Sequence, residues 1–432
     1  MQKFAPGFFI GASTAAHQVE GNNVHSDYWI QEHMPHTSFT EPSLEACDHY
    51  HRYEEDIRLM AQAGLNAYRF SIEWARVEPE EGKFDQEEIE HYRDVIRCCK
   101  VNGVEPIVTL MHFTSPAWLI RKGGWEAEST IEYFRRYTAY VTEQLGSELH
   151  YICTINEANM GLQLAAIAKR FRLMAEQAAK APAGSAKKAE GTVQVGMNFE
   201  KMMENMKYAA AENAQAFGTP QPQIFVNSRT PEGDALVFRA HQAAKEAIKS
   251  LYPEIQVGIT LSLHDLQALP GGESFAEAAW DEEFRHYLPY IQDDDFLGVQ
   301  NYTRTQYGPV GQLPAPEGTE LTQMDYEFYP EALENVIRKV REDFKGNLIV
   351  TENGIAIADD TRRVEFIHRA LAGVQNCIKD GIPVKGYCHW SLMDNFEWQK
   401  GYSMTFGLIA VDRSTQKRTP KPSLEVLGSY RG

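Results

Sequence analysis

The stretch Leu348-Ile-Val-Thr-Glu-Asn-Gly354 joins a short apolar run directly to a polar cluster. Three bulky apolar residues in succession are typical of a strand that is buried on both faces. Glu352 then lies at the end of that strand, where an unpaired charge is costly to bury. Taken alone, Glu352 is compatible with a structural salt bridge and with a functional acid.

A second stretch, Tyr151-Ile-Cys-Thr-Ile-Asn-Glu157, has the same design. It is an apolar strand that runs into a polar cluster, and its last residue is again a glutamate, Glu157. Two glutamates at equivalent ends of two buried strands predict a pair of carboxylates that face one pocket.

Runs with strand character recur along the whole chain and are separated by amphipathic helical stretches. The eight strand candidates are Phe8–Thr14, Ala67–Ile72, Pro106–Met111, Tyr151–Asn156, Val257–Leu263, Phe296–Tyr302, Leu348–Glu352 and Val384–Leu392. The helix candidates are Tyr53–Ala63, Gln86–Val101, Thr130–Leu145, Asp234–Leu251, Pro330–Phe344 and Val364–Lys379. Eight strands alternating with helices predict an α/β fold, a (β/α)8 TIM barrel, in which residues 1–432 form a single domain. Chemistry in such barrels sits at the carboxyl ends of the strands.

One segment, at about residues 162–234, interrupts this alternation and is interpreted as an insertion after the fourth strand. It contains an Ala/Lys-rich helical piece, a turn at Pro182–Ser185 and a Met-rich run at Met197–Met206. The Met-rich run is interpreted chiefly as a helix packing face, although flexible thioethers also suit an adaptable binding wall. Because the segment follows the strand that carries Glu157, we expect it to overhang the pocket.

The composition excludes several classes of partner. With 60 Asp and Glu against 42 Lys and Arg, the net charge of −18 repels nucleic acid and anionic membranes. No apolar run reaches the ~18 residues that a membrane span needs, and Phe8–Ala16 is interpreted as the first strand, not as a signal peptide. The cysteines lack a metal-binding spacing and are interpreted as free thiols of a cytoplasmic protein. They are Cys47, Cys98, Cys99, Cys153, Cys377 and Cys388.

Other predicted strand ends carry a concentration of polar and aromatic residues. They are His17, Gln18, Glu20, Arg69, Glu73, Trp74, His112, Phe113, Gln300, Asn301, Tyr302 and Trp390, followed by Glu397 and Trp398 in the last loop. A sugar ring stacks its C–H face on aromatic rings, while its hydroxyls need paired donors and acceptors. Indole faces combined with amide and carboxylate groups therefore predict a carbohydrate pocket.

Several motifs are spread over nearly the whole chain outside the insertion. They are Phe9-Ile-Gly-Ala-Ser-Thr-Ala-Ala-His-Gln-Val-Glu-Gly21, Tyr68-Arg-Phe-Ser-Ile-Glu-Trp74, Thr154-Ile-Asn-Glu157, Asp295-Phe-Leu-Gly-Val299, Thr351-Glu-Asn-Gly354 and Gly386-Tyr-Cys-His-Trp-Ser-Leu-Met-Asp-Asn-Phe-Glu-Trp398. On these motifs the chain resembles glycoside hydrolase family one, the β-glucosidase-type retaining glycosidases built on (β/α)8 barrels. The last motif is highly specific.

The resemblance implies a retaining β-glycosidase that hydrolyses β-glucosides or related β-glycosides by double displacement. Glu352 is implied to be the nucleophile and Glu157 the general acid/base, while Arg69 and Tyr302 hold the nucleophile. The residues implied to bind the sugar are Gln18, His112, Phe113, Asn156, Gln300, Tyr302, Trp390, Glu397 and Trp398. Further supporting residues are Asn301 and Phe406. The expected partner is a small-molecule β-glycoside, with no cofactor and no metal ion, and homo-oligomerisation is left open.

The chain also departs from the family pattern at four places. Phe113 stands where the family usually has Trp, and Ala158 stands where it usually has Pro. The pair Gln300-Asn301 replaces an Asn-Tyr sequence, and Thr405 replaces a common Arg. None of these changes removes a carboxylate, so they bear on which sugar and which aglycone are accepted. The insertion is expected to line the aglycone side of the pocket.

Three alternative functions remain at this stage. A phospho-β-glycosidase would need a phosphate cradle after the eighth strand, where the anionic Glu397 would instead repel a phosphate. A sugar-binding relative without catalysis would be expected to lose its glutamates first, and both are present. A metallohydrolase is suggested only by His49 and His51, which are interpreted as surface histidines at a helix start.

Overall fold

The protein forms a closed barrel of eight parallel strands, and the computed structural model describes residues 2–168 and 194–432. The barrel strands are β1 (Phe9–Ser13), β2 (Ala67–Ser71), β3 (Glu105–Met111), β4 (Tyr151–Ile155), β5 (Gln256–Ser262), β6 (Phe296–Gln300), β7 (Asn347–Asn353) and β8 (Val384–Trp390). Strands that follow one another in sequence are neighbours in the sheet. The barrel closes between β1 and β8, with Phe9 opposite Gly386 and Ser13 opposite Trp390.

All eight predicted strands are present, and each predicted boundary lies within two residues of the observed one. The strands are apolar because helices cover a parallel barrel outside and packed side chains fill it inside. Side chains from six barrel strands, including Cys153 and Cys388, form one buried cluster. The (β/α)8 TIM barrel expected from the sequence is confirmed.

The helices pack around this sheet. The long ones are α1 (His49–Gln62), α2 (Gln86–Val101), α3 (Ser129–Leu145), α4 (Phe199–Phe217), α5 (Pro231–Leu251), α6 (Glu273–Glu283), α7 (Ala332–Asp343) and α8 (Asp360–Lys379). The short helical segments are Ala16–Val19, Asp27–Glu32, Trp74–Val77, Ala117–Arg121, Gly124–Glu126, Gly146–Glu148, Arg285–Tyr287, Leu288–Ile291, Trp398–Lys400 and Pro422–Gly428, with further helical residues at 160–168. The strands outside the barrel are Asp265–Ala268, Arg304–Gly308, Gly311–Gln312, Ile409–Asp412 and Lys417–Pro420.

The six predicted helices are present, although those expected to start at Tyr53, Asp234 and Val364 begin three or four residues earlier, and the sequence pattern missed α6. The buried side chains of α6 are Ala276, Trp280 and Glu283, a set too small and too polar to produce a hydrophobic stripe. The helix start expected at Pro330 lies at Ala332 instead. Gly64, which follows α1, has a φ of 101°, a left-handed conformation that favours glycine and ends the helix.

The interpretation of His49 and His51 as surface residues is wrong for His49. His49 is buried, and its Nδ1 lies 2.8 Å from an oxygen of Asp56, whereas His51 is exposed. The Asp56 carboxylate also accepts two hydrogen bonds from the buried guanidinium of Arg418, at 2.8 and 2.9 Å. Asp56 and Arg418 therefore form a buried ion pair that joins α1 to the strand Lys417–Pro420.

The described part of the insertion lies at the rim of the barrel. The Ala/Lys-rich piece and the turn at Pro182–Ser185 fall on residues 169–193, outside the described ranges. In α4, Met203 and Met206 are 68% and 64% exposed, so the packing-face interpretation is wrong for these two methionines. The helix is held by its terminal residues Phe199 and Phe217, which pack inward, and by Lys201 Nζ and Asn205 Nδ2, which donate to backbone carbonyls of the chain before α1.

We expect Asp56→Ala to destabilise the fold by about 3–5 kcal/mol, because it leaves the Arg418 guanidinium buried without its carboxylate. Urea denaturation measures this change. The matched control is Glu132→Ala, which removes one partner of an exposed ion pair with Arg135 and is expected to cost about 1 kcal/mol or less. Equal destabilisation by the two variants would contradict this account of the buried pair.

Candidate active site

The two glutamates singled out from the sequence, Glu157 and Glu352, line one cavity of about 320 Å³. They lie just beyond the end of β4 and within the end of β7, so the parallel barrel itself brings them to the same face. The other predicted site residues that line the cavity are His112, Phe113, Asn156, Tyr302, Trp390, Glu397, Trp398 and Phe406. The predicted residues that do not line it are Gln18, Arg69, Gln300 and Asn301.

Glu352 is held by two charge-stabilising donors. Arg69 Nη1 donates to Glu352 Oε1 at 2.6 Å, and the Tyr302 hydroxyl donates to Glu352 Oε2 at 2.6 Å. All three side chains are buried. Hydrogen bonds to an ionised group are short and strong, and here they fix both oxygens of the carboxylate. Arg69 and Tyr302 therefore contact the two oxygens of Glu352, and their role in holding a nucleophile stays a prediction.

Asn156 connects the second glutamate to the same network. Its Oδ1 accepts from Arg69 Nη2 at 2.6 Å, from Gln300 Nε2 at 2.8 Å and from Thr260 Oγ1 at 3.1 Å. Its Nδ2 lies 3.2 Å from His112 Nε2. The amide nitrogen can only donate, so His112 Nε2 accepts and its Nδ1 carries the proton.

His112 therefore presents an N–H for a ligand. Burial lowers the pKa of His112 well below its usual value, and the positive charge of Arg69 lowers it further, so the ring is neutral. Its Nδ1 has no partner among the described residues. A buried donor without a partner in a cavity wall suits a hydroxyl of the bound molecule.

Glu157 is positioned through its backbone. It has a φ of 43°, an unusual value for a residue with a side chain, and its N–H donates to Thr260 Oγ1 at 3.0 Å. The next residue, Ala158, donates its own N–H to the Thr260 carbonyl at 3.1 Å, and its carbonyl accepts from Arg229 at 2.8 Å. A proline at position 158 has no N–H to give, so Ala158 adds a hydrogen bond to the turn that holds Glu157.

The two glutamates have different surroundings and therefore different proton affinities. Burial raises the pKa of Glu157 well above the usual carboxyl range, and the negative charge of Glu352 raises it further. Burial also raises the pKa of Glu352, but the Arg69 guanidinium and the Tyr302 hydroxyl oppose that rise. One oxygen of Glu157 has no partner among the described residues. These surroundings favour the protonated form of Glu157 over that of Glu352.

Aromatic rings and a third carboxyl group complete the cavity. The His112 ring lies nearly parallel to Trp390, at 5.7 Å between centroids, and Phe113 contacts Trp398 at 5.3 Å. Burial raises the pKa of Glu397 to about 8, with a further contribution from the charge of Glu352. Phe113 supplies ring surface but no N–H, so it cannot bond a hydroxyl as a tryptophan would.

Three of the residues expected to bind or support the sugar do not line the cavity and instead contact residues next to it. Gln300 donates to Asn156 and to Thr260, and Asn301 Nδ2 donates to the backbone carbonyls of Leu263 and Thr303. Gln18 Nε2 donates to the Phe396 carbonyl at 2.7 Å. Gln18 and Gln300 donate their amide N–H groups to neighbouring protein groups, whereas each amide oxygen is buried without a partner among the described residues, and their contact with a sugar stays a prediction.

Sequence reasoning missed four residues that line the cavity and one that supports it. The lining residues are Gln194, Val195, Met324 and Tyr326, and the supporting residue is Thr260. Gln194 and Val195 come from the middle of the insertion, so this part of it reaches the pocket. Thr260 lies in the middle of an apolar strand, where a lone threonine carries no signal of function.

Other features of the described residues bear on the remaining expectations. All six cysteines are free. Between residues 2–168 and 194–432, no group of three His, Cys, Asp or Glu side chains is arranged to hold a metal ion. In the same ranges no helix has both the length and the apolar character to cross a bilayer.

A barrel with two buried glutamates at its carboxyl face, in a cavity lined by aromatic rings, is typical of barrel glycosidases. Comparison with known proteins agrees. The sequence model of glycosyl hydrolase family 1 matches residues 1–179 and 311–429. The chain therefore belongs to glycosyl hydrolase family 1, as the motifs suggested, and is a glycoside hydrolase.

Relatives match almost the whole chain. Beta-glucosidase A of Acetivibrio thermocellus is 28% identical, over 97% of this chain and 96% of its own. A bifunctional beta-D-glucosidase/beta-D-fucosidase of Bifidobacterium breve is 30% identical, over 98% of this chain and 96% of its own. Among solved structures, beta-glycosidase BGL167 is 44% identical with a TM-score of 0.86, covering 99% of this chain and 96% of its own.

We expect Thr260→Val to lower kcat about tenfold or more, because the hydroxyl that holds both the Glu157 backbone and the Asn156 side chain is lost while the volume is kept. Thr260→Ser is the matched control, since it retains the hydroxyl and should keep kcat within a few-fold of the parent. Steady-state kinetics on an aryl β-glucoside, with circular dichroism to confirm folding, measures the effect. A folded Val variant with the parent kcat would contradict the role given to Thr260.

Proposed function

We propose that the protein is a retaining β-glycosidase that hydrolyses β-glucosides and related β-glycosides by double displacement. The observation that supports the proposal most directly is that two buried glutamates in one cavity have different hydrogen-bond partners. Glu352 has a cation and a phenol on its two oxygens, which suits an ionised nucleophile. Glu157 has a free oxygen and a raised pKa, which suits a proton donor.

In the first step, a Glu352 oxygen attacks the anomeric carbon and the bond from that carbon to the leaving oxygen breaks. The proton on Glu157 moves to that oxygen, so the aglycone departs as an alcohol. A covalent glycosyl ester on Glu352 and an ionised Glu157 remain. Once the charge on Glu352 has been consumed, the main like-charge cause of the raised Glu157 pKa disappears.

In the second step, the ionised Glu157 takes a proton from water, and the resulting hydroxide equivalent attacks the anomeric carbon. The ester bond breaks and Glu352 leaves as a carboxylate, again bound by Arg69 and Tyr302. Two inversions at the same carbon give net retention. Each glutamate returns to its starting protonation state, so the cycle closes without a cofactor.

The substrate class is supported by the cavity and by the relatives. Relatives that match almost the whole chain are named beta-glucosidases, and the cavity offers an imidazole N–H, a carboxyl group and aromatic faces to a sugar. A phospho-sugar is disfavoured, because Glu397 is the acidic group in the wall and no Lys or Arg of the described residues lines the cavity. The free thiols support a reducing, cytoplasmic location.

The test compares Glu352→Ala with Glu157→Ala. Loss of Glu352 should abolish turnover, and added azide should restore part of it with an inverted product, because azide enters the vacated space as a nucleophile. Loss of Glu157 should lower the rate least for substrates with activated aryl leaving groups, since these leaving groups need little protonation. Rates and the anomeric configuration of the first product are followed by proton NMR.

The matched control is Glu73→Gln, which changes another buried glutamate just beyond a barrel strand. Glu73 accepts from Thr114 at 2.7 Å and lies outside the cavity, so this variant should stay within a few-fold of the parent. Near-parent rates for both alanine variants on an unactivated β-glucoside would refute the assignment of the two roles.

A further inference from the structure

We propose that Gly196, near the middle of the insertion, is a positioning residue for the Glu397 carboxyl group. Through it, the insertion governs recognition of the sugar that is cleaved off and not only the aglycone side. The inference rests on the proposed function, because it deepens the assignment of the same cavity.

The segment around Gly196 interlocks with the loop that carries Glu397. The Gln399 N–H donates to the Gly196 carbonyl at 2.9 Å, and the Asn198 N–H donates to Gln399 Oε1 at 2.8 Å. These contacts pair this part of the insertion with the short helix Trp398–Lys400. The position of Glu397 is therefore tied to the backbone of Gly196 and Asn198.

Space explains why position 196 is a glycine. A Cβ at this position would lie 2.5 Å from the Glu397 backbone oxygen, 2.9 Å from its Oε1 and 3.0 Å from its Cγ. Gly196 is not among the residues with a positive φ, so its backbone conformation is one that any residue can adopt. The requirement for glycine comes from the close approach to Glu397 alone.

The close contact between Gly196 and Glu397 also affects the ionisation of Glu397. The Gly196 backbone N–H favours the ionised form of Glu397, together with the side chains of Gln18 and Trp390, against the larger effect of burial. The other oxygen, Oε2, is buried without a partner among the described residues. Glu397 is thus approached by the insertion on the Oε1 side, while Oε2 is left for a hydroxyl of the sugar.

Two neighbouring residues of the insertion reach the same side of the cavity. Val195 lines it, and Gln194 accepts the Tyr302 N–H at 2.8 Å while it donates to Ser262 at 3.0 Å. Tyr302 in turn binds the nucleophile Glu352. The segment 194–196 therefore contacts the groups that hold the sugar and the nucleophile, which is where it would influence the glycone.

The test is a double-mutant cycle of Gly196→Ala and Glu397→Ala, read out by binding of the sugar mimic deoxynojirimycin in calorimetry and by KM for an aryl β-glucoside. In the parent background, Gly196→Ala should weaken binding and raise KM about tenfold or more, because the added methyl group displaces the carboxyl group. In the Glu397→Ala background the close approach to the backbone oxygen of residue 397 remains but the carboxyl group is gone, so the fold-change in binding should be at least about threefold smaller than in the parent background.

Asn198→Ala is the control for general loosening of the segment. It removes the side chain that caps α4, in which Asn198 Oδ1 accepts from Lys201 N at 3.2 Å. This variant should leave deoxynojirimycin affinity unchanged while it lowers Tm.

Equal fold-changes for Gly196→Ala in the two backgrounds, or a folded Gly196→Ala with parent affinity, would overturn the inference. The calorimetric readout needs no turnover, so a parent that binds deoxynojirimycin but fails to hydrolyse β-glycosides would refute the proposed function and still test Gly196. A parent that fails to bind it would overturn the inference.

Discussion

The buried guanidinium of Arg69 is the constraint on which the site depends. It lies on β2 with no exposed surface, and its two terminal nitrogens donate to Glu352 at the end of β7 and to Asn156 at the end of β4. A buried charge is tolerated only when it is paired and hydrogen-bonded. The barrel must therefore close with these strand ends in contact, and the same closure creates the cavity.

The Arg69 cation also makes the pKa values of the two glutamates differ. It contacts Glu352 directly and stabilises its charge, whereas burial and the charge of Glu352 raise the pKa of Glu157 against the weaker effects of the Ser262 hydroxyl and Arg69. One positive charge thus gives the two glutamates the unequal proton affinities that the proposed mechanism needs. The positive φ values of Glu157, Phe113 and Trp398 place backbone strain around this cavity, a feature that persists only where the surrounding structure enforces it.

The sequence predicted the barrel well because each strand is a short apolar run that leads into a polar cluster. Glu157, Glu352, Arg69 and Tyr302 were identifiable because charged or phenolic groups at the ends of such strands are costly without a use. The protein partners of Gln18 and Gln300 could not be predicted, since position in a motif does not show which neighbour a side-chain amide binds. The long-range partners of those amides are set only when the barrel closes.

The roles of Thr260 and Gly196 could not be predicted from the sequence pattern. A threonine inside an apolar strand looks like a core residue, and only the fold shows that its hydroxyl serves both Glu157 and Asn156. A glycine in an irregular insertion looks like a flexible turn, whereas Gly196 is required by the distance to a carboxyl group far away in sequence. Both depend on tertiary contacts that no local periodicity reports.

The most direct test of the account is to trap the covalent intermediate. A 2-deoxy-2-fluoro β-glucoside with an activated leaving group slows both steps, and slows hydrolysis of the ester enough for the glycosyl-enzyme to accumulate. The account predicts one added sugar per chain, located by peptide mass mapping on Glu352, with loss of activity that recovers as the ester turns over. A label on another residue, or hydrolysis with inverted product and no label, would contradict it.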